Sequence, residues 1–215
     1  RVSARYDREY SYSNKLKRSA FEAYFTILTI LNTDIFYNYE HAFYDSHLKS
    51  EFENFTSHYV RFSTKPYDFL NISGGFGTGN EIAYREEIPE LGDRFSFNTS
   101  IEVTLNNNLR IKPSINLSRL KKLDSEEYFF DGYIARFDVR YQFTSSLNLR
   151  VISEYNEFSD QFFVQPLISW RPNADTIFYV GGNQNYIDEF VDYNSPNYRV
   201  NKSQLFLKFQ YLIKS

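Results

Sequence analysis

Three histidines bound the catalysis open to this chain: His41, His47 and His58. A hydrolytic triad needs a nucleophile, an imidazole and a carboxylate converging in space. Asp45-Ser46-His47 supplies the three types, but only as chain neighbours, which cannot form that geometry by themselves. No two histidines stand at i, i+2 or i, i+4, the spacings that set two imidazoles on one metal ion. Cysteine is absent, which excludes disulfides, Cys-ligated zinc and thiol catalysis. Ser73-Gly74-Gly75-Phe76-Gly77-Thr78-Gly79-Asn80 has the glycine density of a phosphate loop, yet no Lys-Ser/Thr follows and no helix begins. No catalytic residue, metal ligand or cofactor is therefore expected. The chemistry left is charge at every second position. From residue 94 on, Arg94, Arg110, Lys112, Arg136, Arg140, Arg150, Arg171 and Lys208 alternate with apolar neighbours, against only Glu102, Asp138 and Glu154. Such a row is either a field that prefers anions (or docks an acidic plug) or a cross-strand charge ladder with a structural role.

The elements that carry this row must be strands, because only a strand sends neighbours to opposite faces. Tyr133, Ala135, Phe137, Val139, Tyr141 and Phe143 fall on one face; Ile134, Arg136, Asp138, Arg140 and Gln142 fall on the other. The same alternation places Phe95, Phe97, Thr99, Ile101, Val103 and Leu105 opposite Arg94, Ser96, Asn98, Ser100, Glu102 and Thr104. Leu109, Ile111, Pro113, Ile115 and Leu117 stand opposite Arg110, Lys112, Ser114, Asn116 and Ser118. On 161–171, Phe162, Val164, Pro166, Ile168 and Trp170 oppose Gln165, Ser169 and Arg171; the last strand presents Leu205, Leu207, Phe209, Tyr211 and Ile213. Eleven strands are expected, over 19–31, 35–43, 58–64, 70–79, 94–105, 109–120, 132–143, 147–156, 161–171, 176–186 and 204–213. Most exceed the globular mode of about five or six residues and match the ~9–11 that a tilted strand needs to cross a bilayer. Pro113 and Pro166 each require a bulge or a missing ladder bond. Gly75, Gly77 and Gly79 share the polar face, where they permit a bend or close approach by a loop or plug. Gly181 and Gly182 offer the same.

Composition agrees with a wall between two phases. The 215 residues include 22 Phe, 19 Tyr and 1 Trp, yet mean hydropathy is −0.52. No run is long and apolar enough for a transmembrane helix. The net charge of −3 argues against nucleic acid as a partner. Short connections (32–34, 64–69, 106–108, 144–146, 172–175) rich in Asn, Asp, Ser and Pro alternate with longer ones (44–57, 82–93, 121–131, 187–203), apart from a short member at 159–160. That asymmetry is the topology of outer-membrane barrels. It leaves the C-terminus in the periplasm and the long loops extracellular. The loops 81–93 and 186–203 are acidic, and the second holds Tyr186, Phe190, Tyr193 and Tyr198. Acids with aromatics of this kind bind divalent ions or stack on sugar rings; otherwise the loops are simply solvated, with the aromatics at the membrane interface. Arg119, Lys121 and Lys122 close a strand on the loop side, where lipopolysaccharide phosphates are a plausible partner.

Several segments of the C-terminal half carry a family resemblance: Arg140-Tyr141-Gln142-Phe143-Thr144, Leu147-Asn148-Leu149-Arg150, Glu154-Tyr155-Asn156, Pro166-Leu167-Ile168-Ser169-Trp170-Arg171-Pro172-Asn173, Ile177-Phe178-Tyr179-Val180 and Leu205-Phe206-Leu207-Lys208-Phe209-Gln210-Tyr211-Leu212. Residues 130–215 resemble the C-terminal barrel region of Bacteroidota outer-membrane proteins that carry an N-terminal domain like carbohydrate-binding module family nine. The resemblance implies a longer native chain, with a sugar-binding-like domain and further strands upstream. It carries over no catalytic or sugar-binding residue. The chain ends Ile213-Lys214-Ser215 rather than on the terminal aromatic usual for such barrels, which leaves Phe209 and Tyr211 to that role.

The expected fold is all-β: an antiparallel transmembrane outer-membrane β-barrel of 11–12 strands, 1–215 being a single barrel domain or the C-terminal portion of one. The odd count of eleven is made even if residues 1–12 form a twelfth strand; the resemblance favours further strands ahead of Arg1. The expected role is non-enzymatic: a pore or transport component of the outer membrane of a Gram-negative, Bacteroidota-like bacterium, in contact with lipid and lipopolysaccharide. The alternatives are a structural subunit whose filled barrel docks other envelope proteins, and a glycan-binding surface protein acting through an upstream domain.

Overall fold

A computed structural model of the chain describes residues 1–29, 32–47, 50–188 and 198–212. The fold is all-β and antiparallel. Twelve strands follow one another in sheet order as in sequence: β1 (Val2–Tyr10), β2 (Leu16–Thr29), β3 (Thr33–His47), β4 (Ser50–Tyr67), β5 (Leu70–Ile82), β6 (Leu91–Leu105), β7 (Leu109–Lys122), β8 (Tyr128–Gln142), β9 (Leu147–Asn156), β10 (Gln161–Asn173), β11 (Thr176–Asp188) and β12 (Tyr198–Tyr211). Residues 2–10 do supply a twelfth strand, hydrogen-bonded to β2 from Val2↔Phe25 to Tyr10↔Leu16.

The strands run longer than the alternation alone marked, and this shortens the loops. The expected connection 44–57 is mostly ladder: Tyr44↔Glu53, Asp45↔Phe52, Ser46↔Glu51 and His47↔Ser50 continue the β3–β4 pairing. The lapse in pattern has a local cause. Asn54 sits at φ 54°, a left-handed kink that slips the phase between Phe52 and Phe55. The connections at 83–90 and 123–127 are likewise tighter than expected. Ile30, Leu31, Phe190, Tyr193 and Ile213 lie outside the described residues.

The chain divides into two compact units: Arg1–Thr99 with Asn116–Gly132, and Ser100–Ile115 with Tyr133–Ser215. In the first, the polar face of β2–β5 is fixed by register. Glu22↔Glu40, Asn38↔Tyr59 and Tyr59↔Gly77 put these residues on one side. Phe25, Tyr37, Val60 and Phe76 form the other side through Phe25↔Tyr37, Tyr37↔Val60 and Val60↔Phe76. Gly75 and Gly77 do share the polar face, but the space they leave is filled from the next strand. A Cβ on Gly75 would stand 2.4 Å from Tyr59 Oη, and one on Gly77 2.5 Å from Ser96 Oγ and 3.3 Å from the Tyr59 ring. The glycines thus seat Tyr59 flat on the wall. Gly79, at φ +122°, has the one backbone conformation here that demands glycine.

In the second unit, β8–β9 pairing runs Ala135↔Tyr155, Arg136↔Glu154, Phe137↔Ser153, Val139↔Val151, Arg140↔Arg150. β9–β10 continues with Phe162↔Tyr155, Phe163↔Glu154 and Leu167↔Arg150. Pro166 finds the missing ladder bond expected of it. The β10–β11 register lapses between Val164↔Gln184 and Leu167↔Gly181 without shifting, while Pro166 still opposes Val151 on the β9 side.

Burial is inverted with respect to a water-soluble domain. Among the described residues the buried apolar side chains are Ala20, Ala42, Ile82, Ala83, Leu120 and Ile152, and Leu120 alone is both large and wholly buried. The aromatic load of the sequence does not go into a core. Phe95 is 36% exposed, Phe137 44% and Phe209 60%; Phe97, Ile101 and Tyr141 are exposed too. Val103 and Val139 are half-buried. Large apolar side chains exposed in such number mark a surface that meets something other than bulk water.

Candidate functional site

The polar face of the second unit gathers the charges singled out by their spacing. β6 supplies Glu102, β7 Arg110, Lys112 and Ser114, and β8 Arg136, Asp138 and Arg140; together they line a hollow of about 330 Å³. Alternation brings them here, since each is two residues from the next on its strand. Glu102 accepts from Arg110 Nη2, and its other oxygen lies 3.8 Å from Lys112 Nζ. Arg140 donates Nε and Nη2 to the two Asp138 oxygens, 3.2 Å each, the fork geometry a guanidinium suits best. Arg136 Nη1 donates to Glu154 Oε2 at 3.2 Å.

The heights of these groups differ in a consistent way. The carboxylate side chains of Glu102, Asp138 and Glu154 are 20%, 14% and 19% exposed, whereas those of Arg110, Lys112, Arg136 and Arg140 are 46%, 49%, 43% and 51% exposed. The acids form the floor and the cations stand above them. A solute on this face meets positive charge first. The acids hold the cations in place, and in this group Arg110, Lys112, Arg136 and Arg140 outnumber Glu102, Asp138 and Glu154.

Two expected members of the row have no acid. Arg150 on β9 is opposed by Arg140 on one side and by Leu167 on the other. Its Nε is buried and has no hydrogen-bond partner, and no carboxylate of the described residues pairs with it. Arg171, at the turn end of β10, is exposed and likewise has no acid partner among the described residues. Lys208 lies over the Tyr179 ring at 5.8 Å.

The opposite face carries aromatic rows. Near the turn ends, Trp170 stacks on Phe178 at 5.4 Å, Phe178 meets Phe209 at 5.1 Å, and Tyr141 meets Phe143 at 4.7 Å. Near the loop ends, Tyr133 pairs with Tyr155 and Phe162 with Tyr186. On β8, Tyr133 and Tyr141 are eight positions apart: about 26 Å along the strand, or about 20 Å across the sheet at a tilt of ~40°.

The first unit holds a charge cluster that alternation did not reveal. Arg18 reaches Glu40, Glu22 at 3.5 Å and Asp45 at 3.8 Å, and Arg5 pairs with Asp7 and lies 3.8 Å from Glu22. The β2–β3 register slips between Ser19 and Ala20, so Arg18 and its three acids do not share a simple odd or even count. Arg94 is held 3.3 Å from Glu81, which proves to be part of β5 and not of the loop. Asp45 pairs with Arg18 while the neighbouring Ser46 donates to the Lys17 carbonyl, so these two do not converge; the His47 side chain lies outside the described residues. His58 Nδ1 is 2.8 Å from the Tyr37 hydroxyl, and His41 meets Phe43 edge-on at 4.4 Å. Both stand among aromatics. Arg119, Lys121 and Lys122, past the last apolar-face residue Leu117, are held by Asp131, Glu126 and Glu127 at 3.0, 2.6 and 2.9 Å. Those hydrogen bonds raise both lysine pKa values.

No protein-family model and no curated protein matches this chain. Among solved structures it is similar to the KdgM porin (9% identity, 99% of this chain, 98% of that one, TM-score 0.38). The KdgM porin in complex with disordered oligogalacturonate and the NanC porin in a rhombohedral crystal form are each 10% identical at the same TM-score, 0.38, and 99% of this chain is covered in both. At that similarity neither the pore nor the cargo of those proteins transfers to this chain.

Proposed function

We propose that the protein is a non-enzymatic outer-membrane β-barrel, or the C-terminal part of one, acting as a pore or transport component of a Gram-negative envelope. The observation that carries this is the inverted burial: Phe, Tyr, Ile and Leu exposed on one face, ion-paired acids sheltered on the other. Hydrocarbon is the neighbour that makes the first face favourable, and water makes the second so. The aromatic rows sit where a bilayer's two interfaces would fall, close to the ~25 Å apolar band of such proteins. By strand order, 68–69 falls at the end opposite 83–90 within the first unit, and 106–108, 143–146 and 174–175 fall at the end opposite 157–160 within the second, which suits periplasmic turns and extracellular loops.

Barrel lipids are the proposed partners of the apolar face. The lysine pairs at 121–127 leave lipopolysaccharide phosphates to compete with Glu126 and Glu127 for the same cations. The filled-barrel reading loses its main support, since Tyr59 already occupies the room above Gly75 and Gly77. Incorporation of the purified full-length protein into planar bilayers tests the proposal. Discrete conductance steps are expected; an insulating membrane at saturating incorporation counts against a pore. Partition into the aqueous phase without detergent would overturn the membrane assignment itself.

A further inference from the structure

We infer that Arg140 and Arg150 form a binding site for an oxyanion, a carboxylate or a phosphate, borne by a solute on the polar face. The inference rests on the pore reading only for the claim that this face meets water. Arg140 and Arg150 are direct cross-strand partners on that face. Opposed side chains in an antiparallel pair have Cβ atoms about 4.5–5.5 Å apart, and like charges there repel. Among the described residues no carboxylate pairs with Arg150. Asp138 is held by both Nε and Nη2 of Arg140, Glu154 is engaged by Arg136, and the next residue beside Arg150 is Leu167. Its buried Nε has no acceptor among the described residues.

An arginine with an unanswered, desolvated N–H directly across the ladder from a second arginine is an unfavourable arrangement in an empty site. The same pair becomes favourable when an oxyanion lies between, because each guanidinium donates in a planar fork matched to carboxylate or phosphate oxygens. Arg110, Arg136 and Lys112 surround the adjoining hollow, so an incoming anion meets a graded positive field before it reaches the pair. A second hollow of about 570 Å³ shares Glu102, Arg110 and Arg140 with the first and adds the uncharged donors and acceptors of Asn107, Asn108, Gln142 and Asn148. The site therefore suits an anion attached to a hydrated polar body better than a bare halide.

The test uses the full chain in detergent micelles, with thermal unfolding read in chloride, inorganic phosphate and malonate at equal ionic strength. Wild type is expected to melt higher in phosphate, in malonate or in both, and the anion that acts names the chemistry. R150Q is expected to melt higher than wild type in chloride, since the repulsion is gone, and to lose the anion-dependent rise. A residue with a purely structural role would not give that crossed result. Equal anion effects in wild type and R150Q, or no effect in wild type, overturn the site. R150M carries the same comparison should R150Q fail to fold. In planar bilayers under a salt gradient, R150Q is expected to lower the anion-to-cation permeability ratio roughly twofold. Absence of channels there refutes the pore alone, because the melting experiment still reads the site.

Discussion

Phe137 is the place to test the membrane assignment. It stands on β8 four residues from Tyr133 and four from Tyr141, both on the apolar face, and it is 44% exposed. Four residues span about 13 Å along a strand, or about 10 Å at a tilt of ~40°. Phe137 therefore falls near the midplane of the proposed bilayer, with Tyr141 near one interface. Arginine on the lipid face of a barrel costs about 2–4 kcal/mol at the midplane and about 0–1 kcal/mol near the interface. Taking ~3 kcal/mol for Phe137→Arg gives roughly a 150-fold shift in the unfolding equilibrium. Tyr141→Arg is expected to move it by less than roughly fivefold. On a soluble protein the two substitutions are alike, because exposed changes of this kind stay within about ±0.5 kcal/mol. The assay is reversible urea unfolding in phospholipid vesicles, with Phe137→Ala as the control for lost packing. Equal costs for Phe137→Arg and Tyr141→Arg, or a neutral Phe137→Arg, would refute the reasoning.

Other consequences follow from individual contacts. Gly75→Ala places a methyl 2.4 Å from Tyr59 Oη and is expected to cost about 1–3 kcal/mol; paired with Tyr59→Ala it should cost much less than the sum, as a double-mutant cycle in urea would show. Arg18→Gln leaves Glu22, Glu40 and Asp45 without their shared cation and is expected to lose about 1.5–3 kcal/mol in the same titration, with partial recovery in the Arg18→Gln/Glu40→Gln double variant. Glu102→Gln releases Arg110 and Lys112 from their common carboxylate and should raise anion preference in a reversal-potential measurement. Lys121 and Lys122 have raised pKa values from their Glu126 and Glu127 hydrogen bonds. Their contribution to hairpin stability is therefore full below the usual lysine range and lost as pH climbs through the raised values, which amide hydrogen exchange at 123–127 would follow.

What the sequence revealed depended on whether a strand kept one period from end to end. β6 and β8 do so: Phe95 to Leu105 has only Thr99 as a polar member and Tyr133 to Tyr141 has none, which made both legible as strands; β10 keeps its period as far as Trp170, where its pairing with β11 shifts. β4 does not. The left-handed Asn54 shifts the phase and hides Ser50–Ser57 as apparent loop, so a hairpin was read as a long connection. β1 was hard to place for a different reason. Arg5-Tyr6-Asp7-Arg8-Glu9 carries charge on both faces, so no apolar stripe marks it as wall. The Arg18 cluster was illegible because its three acids come from β2 and β3 on either side of a register slip.

The Arg140–Arg150 pair was within reach of the sequence, and this bears on what the polar row is for. Both arginines were legible as members of it, and one further step, the register of the hairpin through Thr144-Ser145-Ser146, sets them opposite each other. A ladder serving structure alone has no use for that step, because exchanging Arg150 for an acid or an amide would relieve the repulsion and remove the unanswered Nε. The neighbouring rungs show the sequence making such a choice: Arg136 faces Glu154. Charge placement on this face is thus locally optimised at one rung and locally unfavourable four residues away on the same strand. Local conflicts that a fold tolerates are concentrated where function requires them. Among the described residues this conflict falls beside the hollow lined by Arg110, Lys112, Arg136 and Arg140, which is the placement the proposed anion site requires.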